Sequence, residues 1–377
     1  MRKYYVCGVS DLIYFDNAAT TKPIASSKDF YNPSSPHDLG LSAQRALREA
    51  RNKVLAGISS TFASSGQSSI PEGDIIFTSG GTEANNIAIA GFALAHSRQG
   101  AYIAAASYEH PSILSSVQFS LDRGWASSAS FDSIPSAGAV LLSISQVGHE
   151  TGDINDVRKI AQAAKSRNPS AVIHVDGVQG FCKELIPLDG IDIYSFSGHK
   201  IHGPYGVGGL WVRKGIKLTS MQPGGGQENG LRGGTENVSG IVQMAEAVET
   251  LASSIEDNRL HVGKIKSIIM SIKEDLPDVL INSLGDTSPY LLNMSFLGVK
   301  GEVLVHALSA RGLYVSMGAA CRSRSKAKSA LELMGFGSEI AGSAIRFSFS
   351  PYNTVQEAEV ARELIINEVN RFRKMKG

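Results

Sequence analysis

The chain has 377 residues, 42% of them hydrophobic and only 19% charged, so it can bury a large core and is long enough for one large and one smaller domain. Thirty-six basic against 35 acidic residues leave a formal charge of +1, which excludes a bulk field recruiting nucleic acid or an anionic membrane; a small or uncharged partner is the expectation. Three cysteines, Cys7, Cys182 and Cys321, are too few and too scattered for a disulfide framework or a metal site, which points to a reducing compartment.

At the start, a basic tip precedes a short apolar stretch that Asp11 interrupts, and no small-residue cleavage pattern follows. No segment is long enough to span a bilayer, so the expected location is the cytoplasm. The Ser-rich stretch 59–69 reads as a loop. The apolar strand Asp74-Ile75-Ile76-Phe77 then runs through Thr78-Ser79-Gly80-Gly81-Thr82-Glu83 into a helical stretch over 84–90. Glycines and a hydroxyl at a helix N-terminus form an anion cradle, here the backbone of Gly81 and Thr82 with the Thr82 hydroxyl. An ordinary glycine turn with Thr82 as N-cap is the plain alternative.

Further along, apolar runs alternate with helix-period segments: 101–106 then 111–121, 139–144 then 157–166, and 171–175 followed by 191–196. The alternation predicts a mostly parallel sheet covered on both faces, with ligands bound outside the carboxyl ends of its strands. The Gly81 turn, Asp176 and Lys200 all fall at such ends. Lys200 follows an apolar strand and enters a glycine-rich turn, Ser197-Gly198-His199-Lys200-Ile201-His202-Gly203. A lysine desolvated there can lose its proton and form a Schiff base. With Asp176 to keep a pyridine nitrogen protonated, the pair meets the needs of pyridoxal phosphate. Taken singly, each has a plain reading: a surface turn, and a hydrogen-bonded core carboxylate.

After a strand over 208–213 come a glycine-rich stretch, 223–234, and a helical region, 238–274, broken before Pro277. Strands are predicted at 291–296, 314–316 and 344–349, with helices over 302–310 and 354–374, an α+β order. The expected division is a large domain, 14–255, and a small one, 256–377, joined by residues 1–13 and part of the N-terminal segment. Arg346 offers a planar fork suited to a substrate α-carboxylate, against the plain reading of a strand ion pair. Cys321 sits among Arg322, Arg324, Lys326 and Lys328, which favour its thiolate and mark it as a reactive thiol of the small domain.

Tyr14 to Thr21, Phe77 to Glu83, Glu109-His110, His174-Val175-Asp176, Ser195 to Pro204, Arg232-Gly233-Gly234-Thr235 and Ile345 to Ser348 together, in order and across almost the whole chain, resemble the cysteine desulfurases of the NifS/IscS type. These are class V, fold-type I pyridoxal phosphate enzymes of α/β class. The resemblance implies that Lys200 holds the cofactor aldehyde, Asp176 pairs with the ring nitrogen and Gln179 donates to the ring oxygen. It implies further that His110 stacks on the ring and shuttles protons, that Gly81, Thr82, Ser197 and His199 hold the phosphate, and that Thr235 reaches the phosphate of the neighbouring subunit in a homodimer with shared active sites.

By the same resemblance Arg346, His149 and Asn17 face the substrate L-cysteine, and Cys321 receives its sulfur as a persulfide, leaving L-alanine. The sulfur would serve iron–sulfur cluster, thio-cofactor or tRNA synthesis through an acceptor, an acidic scaffold protein being suited to the basic segment around Cys321. One departure stands out: Gly148-His149-Glu150-Thr151-Gly152 occupies the place of the family's usual Asn-Asn-Glu-(Ile/Thr)-Gly. A selenocysteine lyase, another class V enzyme, and a scaffold that has lost turnover are the alternatives that this leaves open.

Overall fold

The computed structural model describes residues 12–62, 71–129, 133–185, 190–318 and 328–375, which divide into two compact units. The first comprises Thr21–Val147 and Asn155–Ile255; the described residues of the second fall within Met1–Thr20, Gly148–Ile154 and Glu256–Gly377.

Chain order gives twelve strands among the described residues: β1 Ile13–Tyr14, β2 Gly73–Thr78, β3 Ala101–Ala104, β4 Ala126–Ala129, β5 Ala139–Ser145, β6 Val172–Asp176, β7 Ile193–Ser197, β8 Gly208–Arg213, β9 Val279–Ile281, β10 Leu291–Phe296, β11 Leu313–Tyr314 and β12 Ala344–Ser348. The first unit carries a seven-stranded sheet ordered β2-β8-β7-β6-β5-β3-β4. Its β4-β3-β5-β6-β7 run is parallel, while β8 is antiparallel to both β7 and β2. The α/β class and mostly parallel sheet expected from the alternation are therefore present. The central strands are buried from end to end because helices cover the sheet, which is why they read as continuous apolar runs.

Five helices of this unit matter for the site: α1 Asp38–Phe62, α2 Gly81–His96, α3 Pro111–Asp122, α4 Val157–Arg167 and α5 Val238–Ala252. One cluster packs α1, α4 and α5 on the sheet through Val54, Ile58, Ala161, Met244 and Val248; another packs α2 through Ile87, Ala88 and Phe92. Ser59 and Ser60, expected in a loop, form the last turn of α1. Their hydroxyls donate back to Leu55 O and Ala56 O, satisfying within the helix the groups that made the stretch look polar. Residues 63–69 of that stretch lie outside the described residues.

The second unit builds on the antiparallel trio β12-β10-β9 and the parallel pair β1-β11, with Phe15, Phe296, Leu304, Phe347 and Ile365 among its core. Its C-terminal helix, Val355–Lys374, starts at a capping box between Thr354 and Glu357 and buries Ala358, Ala361, Ile365 and Val369 at helical spacing. Gly148–Ile154 belongs to this unit because hydrogen bonds fasten it to 284–288: Ile154 N to Asp286 O, Ser288 N to Gly152 O, and Leu284 N to Asp153 Oδ1. Among the described residues no helix is long and apolar enough to cross a membrane.

Candidate active site

In the first unit the chemistry-bearing residues collect at the carboxyl ends of the parallel strands. Asp176 is the last residue of β6 and is buried. Its Oδ2 accepts from Asn85 Nδ2 at 2.8 Å and its Oδ1 from Val178 N at 2.9 Å. No lysine or arginine pairs with it among the described residues, so both of these partners are neutral donors. Asn85 lies on α2 and also donates to Ser112 Oγ at 2.9 Å. Ser112 in turn meets His110 Nδ1 twice, through Oγ at 2.8 Å and through its amide at 3.2 Å. The amide can only donate, so Nδ1 is an acceptor and Nε2 carries the proton of the neutral ring. His110 is thus the N-cap of α3, ahead of Pro111 at the first helical position, and is tied to Asp176 through two residues, Ser112 and Asn85.

Ser197 ends the neighbouring strand β7, and the turn Gly198–Lys200 follows. Thr21 braces that turn: its N and Oγ1 donate to His199 O at 2.9 and 3.0 Å, and its Oγ1 accepts from His202 N at 2.7 Å. Lys200 is half-buried there. Burial, then the charges of Lys200 and Lys183, push His199 down to about 4, so its ring is neutral at neutral pH. Burial likewise pulls Lys183 down to about 8.

Beside Ser197 stands the N-terminus of α2. Its N-cap, Gly80, has φ 154° and ψ −178° and provides no side-chain cap. The Ser197 hydroxyl is buried without a hydrogen-bond partner among the described residues, and a Cβ on Gly80 would sit 3.7 Å from it. An uncapped helix N-terminus and an orphaned hydroxyl together fit a phosphate. With Asp176 for a ring nitrogen and Lys200 for an aldehyde, these residues fit pyridoxal phosphate. Thr82, the second residue of α2, is exposed; Gln179 is buried in the turn after β6. Thr235 is exposed, on a segment pinned to the β2 end: buried Glu228 accepts from Phe77 N at 2.8 Å and pairs with Arg51 at 2.8 Å, and Arg232 pairs with Glu83 at 3.2 Å.

Glu109 is buried beside this network. Its carboxyl accepts from Ser145 N at 3.0 Å and from the Ser145 hydroxyl. Burial outweighs those bonds and lifts it to about 7, with Asp176 adding to the rise. Asn85, Ser112 and Glu109 are the polar partners to which sequence reasoning gave no role. The Asn85-Asn86 pair in an otherwise apolar helix and the Glu109-His110 pair were their only signals.

In the second unit Arg346 is buried on β12, with Nη1 donating to His149 O at 2.8 Å and Nη2 3.4 Å from Asp16 Oδ1. Asn17 directs Nδ2 to Tyr14 O, Ser348 O and Asn353 Oδ1. The His149 ring lies 3.5 Å from Glu150. Cys321 and its basic neighbours Arg322, Arg324 and Lys326 lie outside the described residues.

The sequence matches the family model of the class-V aminotransferases over residues 13–360. It is 34% identical to the cysteine desulfurase IscS of Buchnera aphidicola subsp. Acyrthosiphon pisum, covering 96% of this chain and 94% of that protein. The cysteine desulfurase IscS of Dictyoglomus turgidum is 32% identical over 96% of this chain and 95% of its own. Among solved structures, a NifS-like protein superposes with a TM-score of 0.83 at 29% identity, covering 96% of this chain and all (100%) of that one. SspA in complex with cysteine gives 0.70 at 28% identity, over 90% and 99%. Matches of this length leave one assignment: the chain belongs to the class-V aminotransferase family, as a fold-type I pyridoxal phosphate enzyme of the NifS/IscS type.

Proposed function

We propose that the protein is a cysteine desulfurase, taking L-cysteine to L-alanine and keeping the sulfur on Cys321 as a persulfide. The observation that carries this reading is the strand-end group of Asp176, Ser197 and Lys200 beside the open N-terminus of α2, in a chain whose near full-length relatives bear that name. In this reading Lys200 holds the cofactor aldehyde, Asp176 its ring nitrogen, Gln179 its ring oxygen, and Gly81, Thr82, Ser197 and His199 its phosphate. His110 stacks on the ring. Thr235 serves the phosphate of the other subunit in a homodimer.

When bound, pyridoxal phosphate supplies the electron sink that makes the bonds around the amino acid's α-carbon labile. The chain's own groups do the rest. Asp176, fixed by Asn85 and Val178, keeps the ring nitrogen protonated. Arg346 takes the α-carboxylate through two parallel donors and fixes the substrate's orientation. The Lys200 amine moves the α-proton, and the His110 Nε2 edge serves the substrate thiol. The Cys321 thiolate attacks the substrate sulfur: an S–S bond forms, the Cβ–S bond breaks with its electron pair left on carbon, and a proton delivered there completes alanine. Net, one cysteine and one enzyme thiol become one alanine and one persulfide.

The persulfide then passes to an acceptor, a scaffold protein included, for iron–sulfur cluster, thio-cofactor or tRNA synthesis in the cytoplasm. Mass spectrometry of holoenzyme incubated with L-cysteine tests the reading. One extra sulfur on the Cys321 peptide with stoichiometric alanine supports it. No sulfur and no alanine dismisses it, and alanine from selenocysteine alone replaces it with a lyase.

A further inference from the structure

Arg346 is fixed along its main chain on both sides. It pairs with Asn293 in β10, and it exchanges hydrogen bonds with Ser316, Arg346 N to Ser316 O at 2.7 Å and Ser316 N to Arg346 O at 3.2 Å. What tunes it must therefore lie around the guanidinium. Nη1 donates to His149 O, Nη2 faces Asp16, and Glu150 Oε1 stands 3.9 Å from Nη1. The buried Nε has no hydrogen-bond partner among the described residues, so donor capacity is left for another anion.

The two carboxylates differ in reach. The Asp16 side chain is 21% exposed and water screens it, whereas that of Glu150 is 5% exposed and is screened much less. Two contacts place Glu150: its carbonyl accepts from Asn293 Nδ2 at 3.1 Å, and its Oε2 fills the space that a Cβ on residue 318 would occupy. Gly318 has φ 64° and donates its N–H to Ser316 Oγ at 3.1 Å, so glycine both allows the turn and leaves the room.

We infer that Glu150 is a positioning residue of the substrate site: its carboxylate is a built-in counter-charge that limits how tightly Arg346 holds an amino acid's α-carboxylate, and the bare backbone at Gly318 admits it. The inference rests on Arg346 as the carboxylate clamp. Substrate and product carry the same α-carboxylate, so a clamp without a counter-charge binds both more tightly and retains the product; uniform tight binding adds nothing to turnover.

The test titrates holoenzyme with L-alanine and with L-alaninamide, which lacks the carboxylate. Glu150→Gln, the same shape without the charge, is expected to bind alanine about three- to tenfold more tightly and alaninamide unchanged. Glu150→Asp, which keeps the charge, stays near wild type. Alanine inhibition of turnover rises in step in Glu150→Gln, lowering kcat less than KM. Should Glu150→Gln lose its fold by circular dichroism, Glu150→Ala carries the same expectation. Equal changes for the two ligands, or none, overturn the inference. Arg346→Gln is expected to erase the preference for alanine over alaninamide. A preference that survives sinks the clamp itself, whereas a lost preference with unaltered Glu150→Gln affinities sinks Glu150's role alone.

Discussion

Asn85 Nδ2 lies 2.8 Å from Asp176 Oδ2, so a side chain on α2 orients the carboxylate at the end of β6. The same nitrogen reaches Ser112, and Ser112 reaches His110, which links Asp176 and His110 through one amide and one hydroxyl. Asn85→Leu removes a hydrogen bond to a charged group, a loss of about 1.5–3 kcal/mol of stability. It is expected to lower turnover by at least about tenfold at the same time. Ser112→Ala removes one of the two bonds to His110 and one acceptor of Asn85 but leaves both bonds to Asp176 in place, and should alter the pH profile of kcat while leaving cofactor affinity near wild type. Urea unfolding and rate measurements on both variants check the pair; equal effects on cofactor affinity would contradict the linkage.

Gly177 follows Asp176, and a Cβ there would overlap the ring of buried Tyr194, whose hydroxyl donates to Gln146 Oε1 at 2.7 Å. Gly177→Ala overpacks a core with no room to yield and is expected to cost about 3 kcal/mol. Because the clash is with one side chain, Gly177→Ala combined with Tyr194→Leu should cost less than the two changes added together. Additive losses in a urea double-mutant cycle would place the strain elsewhere.

Lys200, Asp176 and the Gly81 turn were legible because their signal is local: an apolar run, then the residue type that a strand end needs for chemistry. Asn85, Ser112 and Glu109 were not, since their roles depend on partners 27, 91 and 36 positions away in sequence. The α1 helix went unread for another reason. Its buried face is built of Gly40, Ala43, Ala50 and Gly57 as much as of Leu47 and Val54, which dilutes the apolar period. The seven residues Gly148–Ile154 interrupt the sheet unit in sequence, yet are held by backbone bonds to 284–288, a pairing that no local pattern announces.

Glu109 gives the fold a pH signature. Its folded value is raised to about 7 from an ordinary 4.5, chiefly by burial, so its favourable contribution is fully present below pH 4.5 and is lost as pH rises through 7. A displacement of this size is worth on the order of 3 kcal/mol. His174 runs the other way: buried between Ser143 and Ser195 and pushed down to about 4, it contributes above pH 6.5 and fails as pH falls toward 4. Glu109→Gln removes only the first effect. Its stability relative to wild type should therefore climb by about 3 kcal/mol between pH 4.5 and 7.5. A pH-independent difference in urea unfolding means that the carboxyl is ionised in the fold throughout.

Ser197 separates a ligand's contribution from the fold's. Its hydroxyl is buried at the end of β7 with no hydrogen-bond partner among the described residues, a state that costs a folded protein about 1–3 kcal/mol. Removing that hydroxyl relieves the cost, so Ser197→Ala is expected to leave the cofactor-free protein as stable as wild type or more so. The holoenzyme should respond in the opposite sense, because a phosphate loses one donor and pyridoxal phosphate then binds about tenfold more weakly. Thr82→Ala, at an exposed position on α2, should weaken the cofactor without stabilising the free protein. The decisive comparison is the thermal midpoint of each variant with and without pyridoxal phosphate: if Ser197→Ala destabilises the free protein, its hydroxyl already has a structural partner and does not wait for a phosphate.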